Sequence, residues 1–367
     1  MNNSGEAALN AVCPYFTMFP LTFPHAILRR HATAGQTVCD PFCGRGTTVL
    51  AARMLGLKAI GIDSNPLAAA LTDAKLVHTN PQAILDAMKA ILSEVRSPRS
   101  RPRGEFWDAA FHSDVLNVLC RLREGLIDNS DTPARRALRA ILLGALHGPK
   151  TKRILRSSYF SNQCPRTYAP KPDYAVRFWR RRRMRPRRVS VERIVSVRAE
   201  RYYAGSASPI QLGRAVQADS RQAAALGRLR GTFDWIITSP PYYGMRTYGP
   251  DQWLRLWFLG GPARPNYAEA EQLSHASADA FADDLAKVWN NVARRASEDC
   301  NLVVRFGAIN DRKVDPVELL RNSLSDSGWR ITTIHPAGRP PRGRRQADHF
   351  GTTSDILDEY DVWARRS

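Results

Sequence analysis

The residues of this sequence most suited to chemistry lie in a glycine-containing loop near the N-terminus. A short apolar run ends in Asp40, and a second apolar run ends in Asp63, 17 residues after Gly46. Gly44 and Gly46 let the backbone approach a ligand closely, and an acid at the second position can accept hydrogen bonds from a ribose diol. The pattern favours a site for a nucleoside-containing cofactor. The alternative is a loop whose glycines and acids only cap a helix.

Thr47 and Thr48 follow the loop, and their hydroxyls and amides would stand at the start of a helix, where polar and anionic groups bind well. The loop does not read G-x-G-x-x-G, and it has no lysine of the Walker type. NAD and ATP are therefore disfavoured as its ligands.

A second motif consists of Ser239, Pro240, Pro241 and Tyr242, directly after the apolar run 233–238. Proline has no N–H to give to a sheet, so the strand must end here. The chain would then present rigid carbonyl groups and an aromatic ring at the edge of the sheet. The alternative is a Pro-Pro turn followed by an ordinary exposed tyrosine.

Both motifs need a parallel sheet to position them. The first block predicts a strand, a loop, a helix from about Thr47 to Leu55 and a second strand from Ala59 to Ile62, in the order of a βαβ unit. A right-handed connection puts the loop at the carboxyl edge of the sheet, where α/β proteins bind ligands. Later segments predict helices within 81–95, 108–147, 252–258, 278–295 and 316–326, and strands over 233–238, 301–306, 329–335 and 359–363.

Composition restricts the class of protein further. The chain has 367 residues, of which 43% are apolar, so a chain disordered throughout is excluded. No apolar run approaches the ~20 residues of a membrane helix, and the N-terminus lacks a signal sequence; this predicts a cytoplasmic protein that does not bind membranes. The six cysteines are scattered without a C-x-x-C pair, so we expect neither a disulfide scaffold nor a bound metal.

The net charge of +20 is concentrated in one region. Residues 150–201 contain 17 Lys and Arg against three acids, a local net charge of +14, and 174–188 mixes arginines with aromatic residues. Arginine binds phosphates bidentately and stacks on bases, so we expect this region to bind nucleic acid. The alternative is a solvated basic face or a localisation signal. The candidate contacts are Arg177, Arg180, Arg181, Arg182, Arg183 and Arg185.

Together, the two motifs resemble those of the DNA amino-methyltransferases, enzymes that use S-adenosylmethionine (AdoMet) to methylate the exocyclic amine of cytosine or adenine. The block from Asp40 to Thr48 resembles the family's cofactor loop, and the block from Thr238 to Tyr243 resembles its catalytic tetrapeptide. The resemblance implies an α/β fold, with the Rossmann-like sheet of class I AdoMet methyltransferases, helices on both faces, and a basic, mainly helical insertion.

The resemblance covers about residues 15–78 and 212–365, and it divides the chain into three regions. Residues 1–79 would form the cofactor-binding half of the methyltransferase domain, 80–211 the inserted target-recognition region, and 212–367 the catalytic half. Within these regions, 13–20 resembles the motif that closes over the cofactor. The segment 157–168 would line the target channel, unless it is an ordinary surface loop.

Individual roles also follow from the resemblance. Asp40 would hold the amino group of the methionine moiety, and Asp63 would bind the ribose hydroxyls. Asp219 resembles the acid that contacts the adenine amine, although a turn or helix-cap acid would look the same. The other cofactor contacts would come from Pro41, Phe42, Gly44, Gly46, Thr47 and Thr48.

The tetrapeptide suits methyl transfer to an amine whose lone pair is delocalised into a ring. Ser239 and the Pro240 carbonyl would accept hydrogen bonds from the amine. Pro241 would stiffen the turn, and Tyr242 would stack on a base flipped out of the duplex. Such catalysis works by orientation and hydrogen bonding, with no covalent intermediate. The sequence has no Pro-Cys nucleophile segment, which argues against methylation at carbon 5 of cytosine.

Within the family, serine at the first position of the tetrapeptide is commoner in N4-cytosine than in N6-adenine methyltransferases, so we expect cytosine. Two alternatives stay open. One is an RNA amino-methyltransferase, and the other is an inactive nucleic-acid-binding protein on the same scaffold. The intact Asp40, Asp63, Ser239 and Tyr242 argue against the second. The resemblance leaves open a restriction endonuclease as a partner.

Overall fold

A computed structural model of the protein describes a large part of the chain. The described residues are 7–15, 19–149, 158–164, 171–205, 213–227, 229, 231–244, 249–266, 273–309, 314–338 and 356–367.

The strands among these residues belong to one sheet. They are β1 (Thr37–Asp40), β2 (Lys58–Asp63), β3 (Gly213–Gln217), β4 (Phe233–Thr238), β5 (Ala296–Ile309), β6 (Trp329–Gly338) and β7 (Ile356–Arg366). Their order across the sheet is β3-β2-β1-β4-β5-β7-β6.

The first five strands run parallel to one another, and β7 runs antiparallel to both of its neighbours. β1 is central: its Val38 pairs with Ala59 of β2 on one side and with Trp235 of β4 on the other. The carboxyl ends of β1 to β4 therefore meet at the same edge of the sheet. This arrangement confirms the predicted Rossmann-like α/β sheet.

The α-helices follow the order of the chain. They are α1 (Thr22–His31), α2 (Thr47–Met54), α3 (Pro66–Leu76), α4 (Pro81–Glu94), α5 (Glu105–Ala110), α6 (Ser113–Asp128), α7 (Pro133–Ala145), α8 (Pro172–Arg181), α9 (Val191–Tyr203), α10 (Ala223–Gly227), α11 (Trp253–Phe258), α12 (Ala278–Ala293) and α13 (Pro316–Leu324). In the described ranges, no helix combines the length and the apolar character needed to cross a bilayer.

Helices cover both faces of the sheet, as the side chains of β4 show. Ile236 lies in a core cluster with Trp289 of α12. Its neighbour Trp235 lies in another cluster with Leu28 of α1 and Val49 of α2. Alternate residues of a strand point to opposite faces, so β4 is buried between two apolar layers, as a parallel strand requires.

The chain divides into two compact units. The sheet unit consists of Tyr15–Leu76, Leu212–Thr247 and Ala270–Ser367. The helical unit consists of Met1–Pro14, Val77–Gln211 and Tyr248–Glu269.

This division differs from the predicted regions in three segments, because residues 1–14, 77–79 and 248–269 belong to the helical unit. Aromatic packing inside that unit explains the segment 248–269. Trp253 of α11 lies 4.9 Å from Phe106 and 5.6 Å from Trp107 of α5, measured between ring centroids. The first segment is tied to α9, since the Tyr202 hydroxyl donates to the carbonyl of Ala11 at 3.1 Å.

Candidate active site

The two sequence motifs meet at the carboxyl edge of the sheet, at the ends of β1 and β4. Thr238 Oγ1 donates to Asp40 Oδ1 at 2.6 Å. In the adjoining turn, the Phe42 amide donates to the same oxygen at 3.1 Å. Thr48 Oγ1, from the first turn of α2, donates to the Ile237 carbonyl at 3.1 Å. These bonds fasten the glycine loop to the strand that carries the tetrapeptide.

Asp40 keeps one oxygen for a ligand. The residue is 1% exposed, and its Oδ2 makes no hydrogen bond to any residue that the structure describes. Burial raises the pKa of this carboxyl to about 6, against the effect of its hydrogen bonds. A buried carboxylate with an unused oxygen is costly unless a cation or donor joins it. The amino group of AdoMet has that chemistry, so this site fits the cofactor.

The glycine loop bends where only glycine fits. Gly46 has a φ of +78°, and a β-carbon there would lie 2.7 Å from Thr72 Oγ1 and 3.0 Å from the Thr72 Cα. The Thr72 hydroxyl donates to the Gly44 carbonyl at 3.1 Å. α3 therefore presses against the loop and fixes its path.

Asp63, at the end of β2, holds the same loop. Its Oδ2 accepts from the Gly44 amide and its Oδ1 from the Asn65 amide, both at 2.9 Å. The carboxyl is half-buried, and burial raises its pKa to about 6. Each oxygen has a second lone pair, so contact with a ribose remains compatible with these bonds. The ribose role of Asp63 stays a prediction.

Asp219 lies two residues beyond β3, on the same edge of the sheet. Both of its oxygens accept from the guanidinium of Arg221, and Arg221 also reaches Asp284 of α12 at 2.7 Å. Burial acts to raise the pKa of Asp219, but the bonds from Arg221 outweigh it and leave the pKa below its ordinary value. The described contacts are those of a turn acid, and contact with an adenine stays a prediction.

Three other residues of the predicted cofactor loop pack against or bond to the surrounding protein. Thr47 is buried in the first turn of α2. The Pro41 carbonyl accepts from Ser220 Oγ at 2.7 Å, which joins the loop to the turn after β3. The Phe42 ring meets Trp289 edge to face, with centroids 6.1 Å apart.

The tetrapeptide forms the turn after β4. Ser239 is half-buried, and no hydrogen bond joins its hydroxyl to another described residue. Pro240 is buried and Pro241 half-buried. The Ser239 hydroxyl and the Pro240 carbonyl belong to one turn at the carboxyl edge, where the sequence predicts the acceptors of the target amine.

Tyr242 was predicted to offer an open ring to a base, but its side chain is buried and held by several contacts. Its ring is 6% exposed and meets Phe306 edge to face at 5.5 Å. Its hydroxyl donates to Glu359 of β7, which is also buried. Gly307 faces both side chains, and a β-carbon there would lie 3.3 Å from the Tyr242 ring. Stacking of Tyr242 on a flipped base stays a prediction.

The turn continues into a contact that the sequence did not suggest. The Gly244 amide donates to His275 Nδ1 at 3.1 Å, and the imidazole lies 6.2 Å from the ring of Tyr243. The preceding residue, Ser274, is fixed because its backbone amide donates a hydrogen bond to Asp284 Oδ2 at 3.0 Å. His275 thus supports the end of the tetrapeptide turn.

The predicted nucleic-acid contacts lie in the helical unit, on α8 and directly after it. Arg177, Arg180, Arg181, Arg182, Arg183 and Arg185 are all exposed. Arg180 forms an ion pair with Glu105 of α5. None of the other five pairs with an acid in the described part of the chain. Parts of the basic region, of 157–168 and of 13–20 lie outside the described residues.

The described residues contain no group of three or more His, Cys, Asp or Glu side chains that could hold a metal. All six cysteines are buried, and none of them forms a disulfide. Burial raises the pKa of the Cys39 and Cys43 thiols, which lie beside the glycine loop. Both are therefore small buried thiols in this structure.

The family comparison covers the part of the chain that contains the glycine loop. Residues 2–73 match the family described as DNA methylase. The Type II methyltransferase M.MjaII of Methanocaldococcus jannaschii is 27% identical over 88 residues, which are 24% of this chain and 17% of that protein. The chain thus aligns with about a sixth of the relative's length.

Solved structures give a more distant likeness. TrmN from Thermus thermophilus is 10% identical with a TM-score of 0.37, over 99% of this chain and 52% of that chain. The rRNA methyltransferase aviRa from Streptomyces viridochromogenes is 14% identical with a TM-score of 0.34, over 100% and 93%. Scores this low say nothing about substrate. Residues 2–73 are therefore similar to DNA methylases, and this similarity supports AdoMet as the cofactor.

Proposed function

We propose that the protein transfers a methyl group from AdoMet to the exocyclic amine of a base in DNA, with N4 of cytosine favoured over N6 of adenine. One observation carries the proposal: Thr238 Oγ1, beside the tetrapeptide, donates to Asp40 of the cofactor loop at 2.6 Å. This bond joins the loop after β1 to the strand that carries the tetrapeptide, which supports a cofactor site and an amine site side by side. That juxtaposition is what direct transfer between two bound groups requires.

The residues of the cofactor loop would bind and orient AdoMet. Asp40 would use its free Oδ2 for the cationic amino group, and Asp63 would contact the ribose. When bound, AdoMet supplies an activated methyl group on a sulfonium. The glycine loop needs no further ordering, because Thr72, Asp63 and Thr48 already hold it in place.

The tetrapeptide residues would act on the target amine. The Ser239 hydroxyl and the Pro240 carbonyl would accept hydrogen bonds from its two N–H groups, which withdraws the nitrogen lone pair from conjugation with the ring and directs it towards the methyl group. The acceptors are preorganised, since Pro241 fixes the turn and Glu359 holds Tyr242. Serine, rather than an acid or amide, at the first position is the reason to favour cytosine.

The substrate is tested by product analysis. The full chain is incubated with isotope-labelled AdoMet and with either DNA or RNA, and each nucleic acid is then digested to nucleosides for mass spectrometry. We expect labelled N4-methyl-2′-deoxycytidine from DNA. Labelled adenine would overturn the base assignment, and labelled RNA with unmodified DNA would support the RNA alternative. Tight AdoMet binding without any product would favour an inactive scaffold.

Replacement of the first tetrapeptide residue tests the catalytic assignment. Ser239→Ala removes one acceptor of the amine, so we expect turnover to fall about 10- to 100-fold while AdoMet affinity is unchanged. Ser297→Ala is the matched control, because Ser297 is also half-buried but lies at the amino end of β5. Equal losses of turnover in the two variants, or a parallel loss of AdoMet affinity in Ser239→Ala, would contradict the assigned role.

A further inference from the structure

Three side chains stack along one exposed face of α8. Tyr174 and Phe178 lie with ring centroids 6.3 Å apart and their planes 23° from parallel. The guanidinium of Arg182 lies over the Phe178 ring, 4.8 Å from its centroid. The spacing of four residues puts all three on the same side of the helix. We call Tyr174, Phe178 and Arg182 the stacked ladder.

The ladder does not serve the packing of the helical unit. α8 is anchored by its opposite face, where Ala175, Val176 and Trp179 are buried and the Trp179 indole donates to the Gln163 carbonyl at 3.1 Å. By contrast, Tyr174 is 49% exposed. It is the one aromatic residue among the exposed large hydrophobic side chains of the described chain. The Tyr174 ring is therefore accessible to a ligand, and a tyrosine ring can stack on flat groups.

Unpaired cations flank the ladder. Arg177 and Arg181 each follow a ring of the ladder by three residues, so they stand next to the rings on the helix surface. Both are exposed, and neither pairs with an acid among the residues that the structure describes. Arg180, further round the helix, is the arginine that pairs with Glu105. The face therefore offers ring planes between free guanidinium groups, a surface complementary to a polyanion that exposes flat groups.

We propose that the stacked ladder binds the faces of unpaired bases in the nucleic-acid substrate. This rests on the proposed function and narrows it, because it names the state of the nucleic acid that this surface takes. In an intact duplex each base face is covered by its neighbours, and only phosphates and base edges are accessible. Aromatic rings and arginine planes gain affinity from bases that have left the stack. Unpaired bases arise in a single strand or in a locally opened duplex.

Binding of the full chain is measured by fluorescence anisotropy without AdoMet, so that the result does not depend on turnover. The probes are a labelled single strand of about 20 nucleotides, its perfect duplex, and the same duplex with a three-nucleotide bulge. The variant Tyr174→Leu/Phe178→Leu keeps apolar bulk and every cation but removes the rings. We expect its affinity for the single strand to fall about tenfold or more, with less than a threefold change for the perfect duplex.

The bulged duplex separates the two sources of unpaired bases. If the variant loses affinity for both the bulged duplex and the single strand, the ladder binds opened duplexes as well. A loss confined to the single strand restricts it to single-stranded substrates. Equal losses on all three probes, or no loss on the single strand, would overturn the proposal. Loss of a measured interaction with another protein, without any change for the single strand, would assign the surface to a protein partner.

Two further variants keep the test decisive. Tyr174→Phe/Phe178→Trp retains two ring faces and should bind all probes like the wild type, which shows that substitution at these positions does not itself reduce affinity; the nearly unchanged affinity of Tyr174→Leu/Phe178→Leu for the perfect duplex shows that this variant is folded. Arg177→Gln/Arg181→Gln retains the rings but removes two cations. It should lower the affinity for all three probes and reduce the salt dependence of binding. If the protein binds single strands through the ladder but methylates nothing, the proposed function fails and this inference stands.

Discussion

At the scale of single residues, the site depends on a buried carboxyl group of which only one oxygen accepts hydrogen bonds from described residues. Asp40 Oδ1 has two donors and Oδ2 has none in the described part of the chain. The protein therefore carries an unfavourable charge in its core when no ligand is bound. We infer that Asp40 is retained for the cofactor, because a neutral side chain would serve the fold better.

This inference predicts the pH dependence of stability. Folding raises the pKa of Asp40 from 3.8 to about 6, so between these values the folded state holds a proton that the unfolded chain has released. The free energy of unfolding therefore falls as the pH rises from about 4 to about 6 and is constant above that. We expect the contribution of Asp40 to reach about 3 kcal/mol at most.

Urea unfolding of the AdoMet-free protein, between pH 4 and 7, measures this contribution. Asp40→Asn removes the titrating group, so its stability relative to the wild type should increase with pH through this range. Asp299→Asn changes an exposed acid at the start of β5 and should give no such trend. A constant difference between Asp40→Asn and the wild type would show that Asp40 is not buried as a charged group.

Sequence reasoning found most of the residues that form the important pairs of the site, but not the contacts between them. Asp40 and Tyr242 stood out by their motifs. Thr238 was part of a motif, but its bond to Asp40 joins residues 198 positions apart. Glu359 was not recognised, because it lies 117 positions from Tyr242 and its segment has no motif. A pattern along the chain does not contain such distances, and residues 356–361 include three acids, so no local feature distinguishes Glu359 from its neighbours.

At the scale of elements, the glycine loop is positioned by the helix that packs on it. Gly46 takes a left-handed conformation with Thr72 of α3 directly beside it. Gly56, after α2, has a similar φ of +71°, but a β-carbon there would meet no atom within 4 Å. A side chain at either glycine would strain the left-handed backbone, but only a side chain at Gly46 would also collide with a neighbouring residue.

Substitution of each glycine by alanine distinguishes the cost of backbone strain from the cost of the collision with Thr72. Gly56→Ala should lower the free energy of unfolding by about 1 kcal/mol, the cost of a left-handed residue. Gly46→Ala should lower it by about 3 kcal/mol, because the new methyl group also displaces α3, and it should weaken AdoMet binding. Chemical unfolding and calorimetric titration with AdoMet measure both effects. Equal stabilities of the two variants would contradict the tight contact with Thr72.

Elements with a clear period or composition were predicted well, and others were missed. β4 has the predicted bounds, and α4, α11 and α12 differ from prediction by two residues at most. α3 was missed because it is buried nearly all round, so that its apolar residues show no helical period. β5 is longer than predicted because it pairs with both β4 and β7. Tertiary pairing, rather than local sequence, sets its ends.

At the scale of the whole molecule, the charge is distributed very unevenly. Residues 150–201 carry a net charge of +14 out of +20. Among the described residues of this region, the free arginines follow one another from the last turn of α8 into the segment before α9. Arg180 is set apart by its ion pair with Glu105, so its removal would also leave an acid unpaired.

Neutralisation of free arginines should therefore affect nucleic-acid binding selectively. Arg181→Gln/Arg183→Gln/Arg185→Gln should reduce the slope of log affinity against log salt by up to about 3, since each phosphate contact contributes about 0.9. AdoMet affinity should be unchanged. The control Arg29→Gln/Arg30→Gln/Arg294→Gln removes the same charge from exposed positions of the sheet unit. Equal changes in slope would show that the charge acts through the molecule as a whole and not through this region.

The position of β1 in the middle of the sheet has a consequence for how the protein folds. β1 and β4 are neighbours in the sheet, yet their paired residues Val38 and Trp235 are separated by almost two hundred positions, including Val77–Gln211 of the helical unit. Closing such a loop costs little more stability than closing one half as long, because the entropy grows only with the logarithm of its length. The kinetic effect is larger, since non-local parallel pairing slows folding and leaves strand edges open. An inserted region can thus vary in length without weakening the sheet, while the time needed to complete the sheet limits how quickly the protein becomes functional.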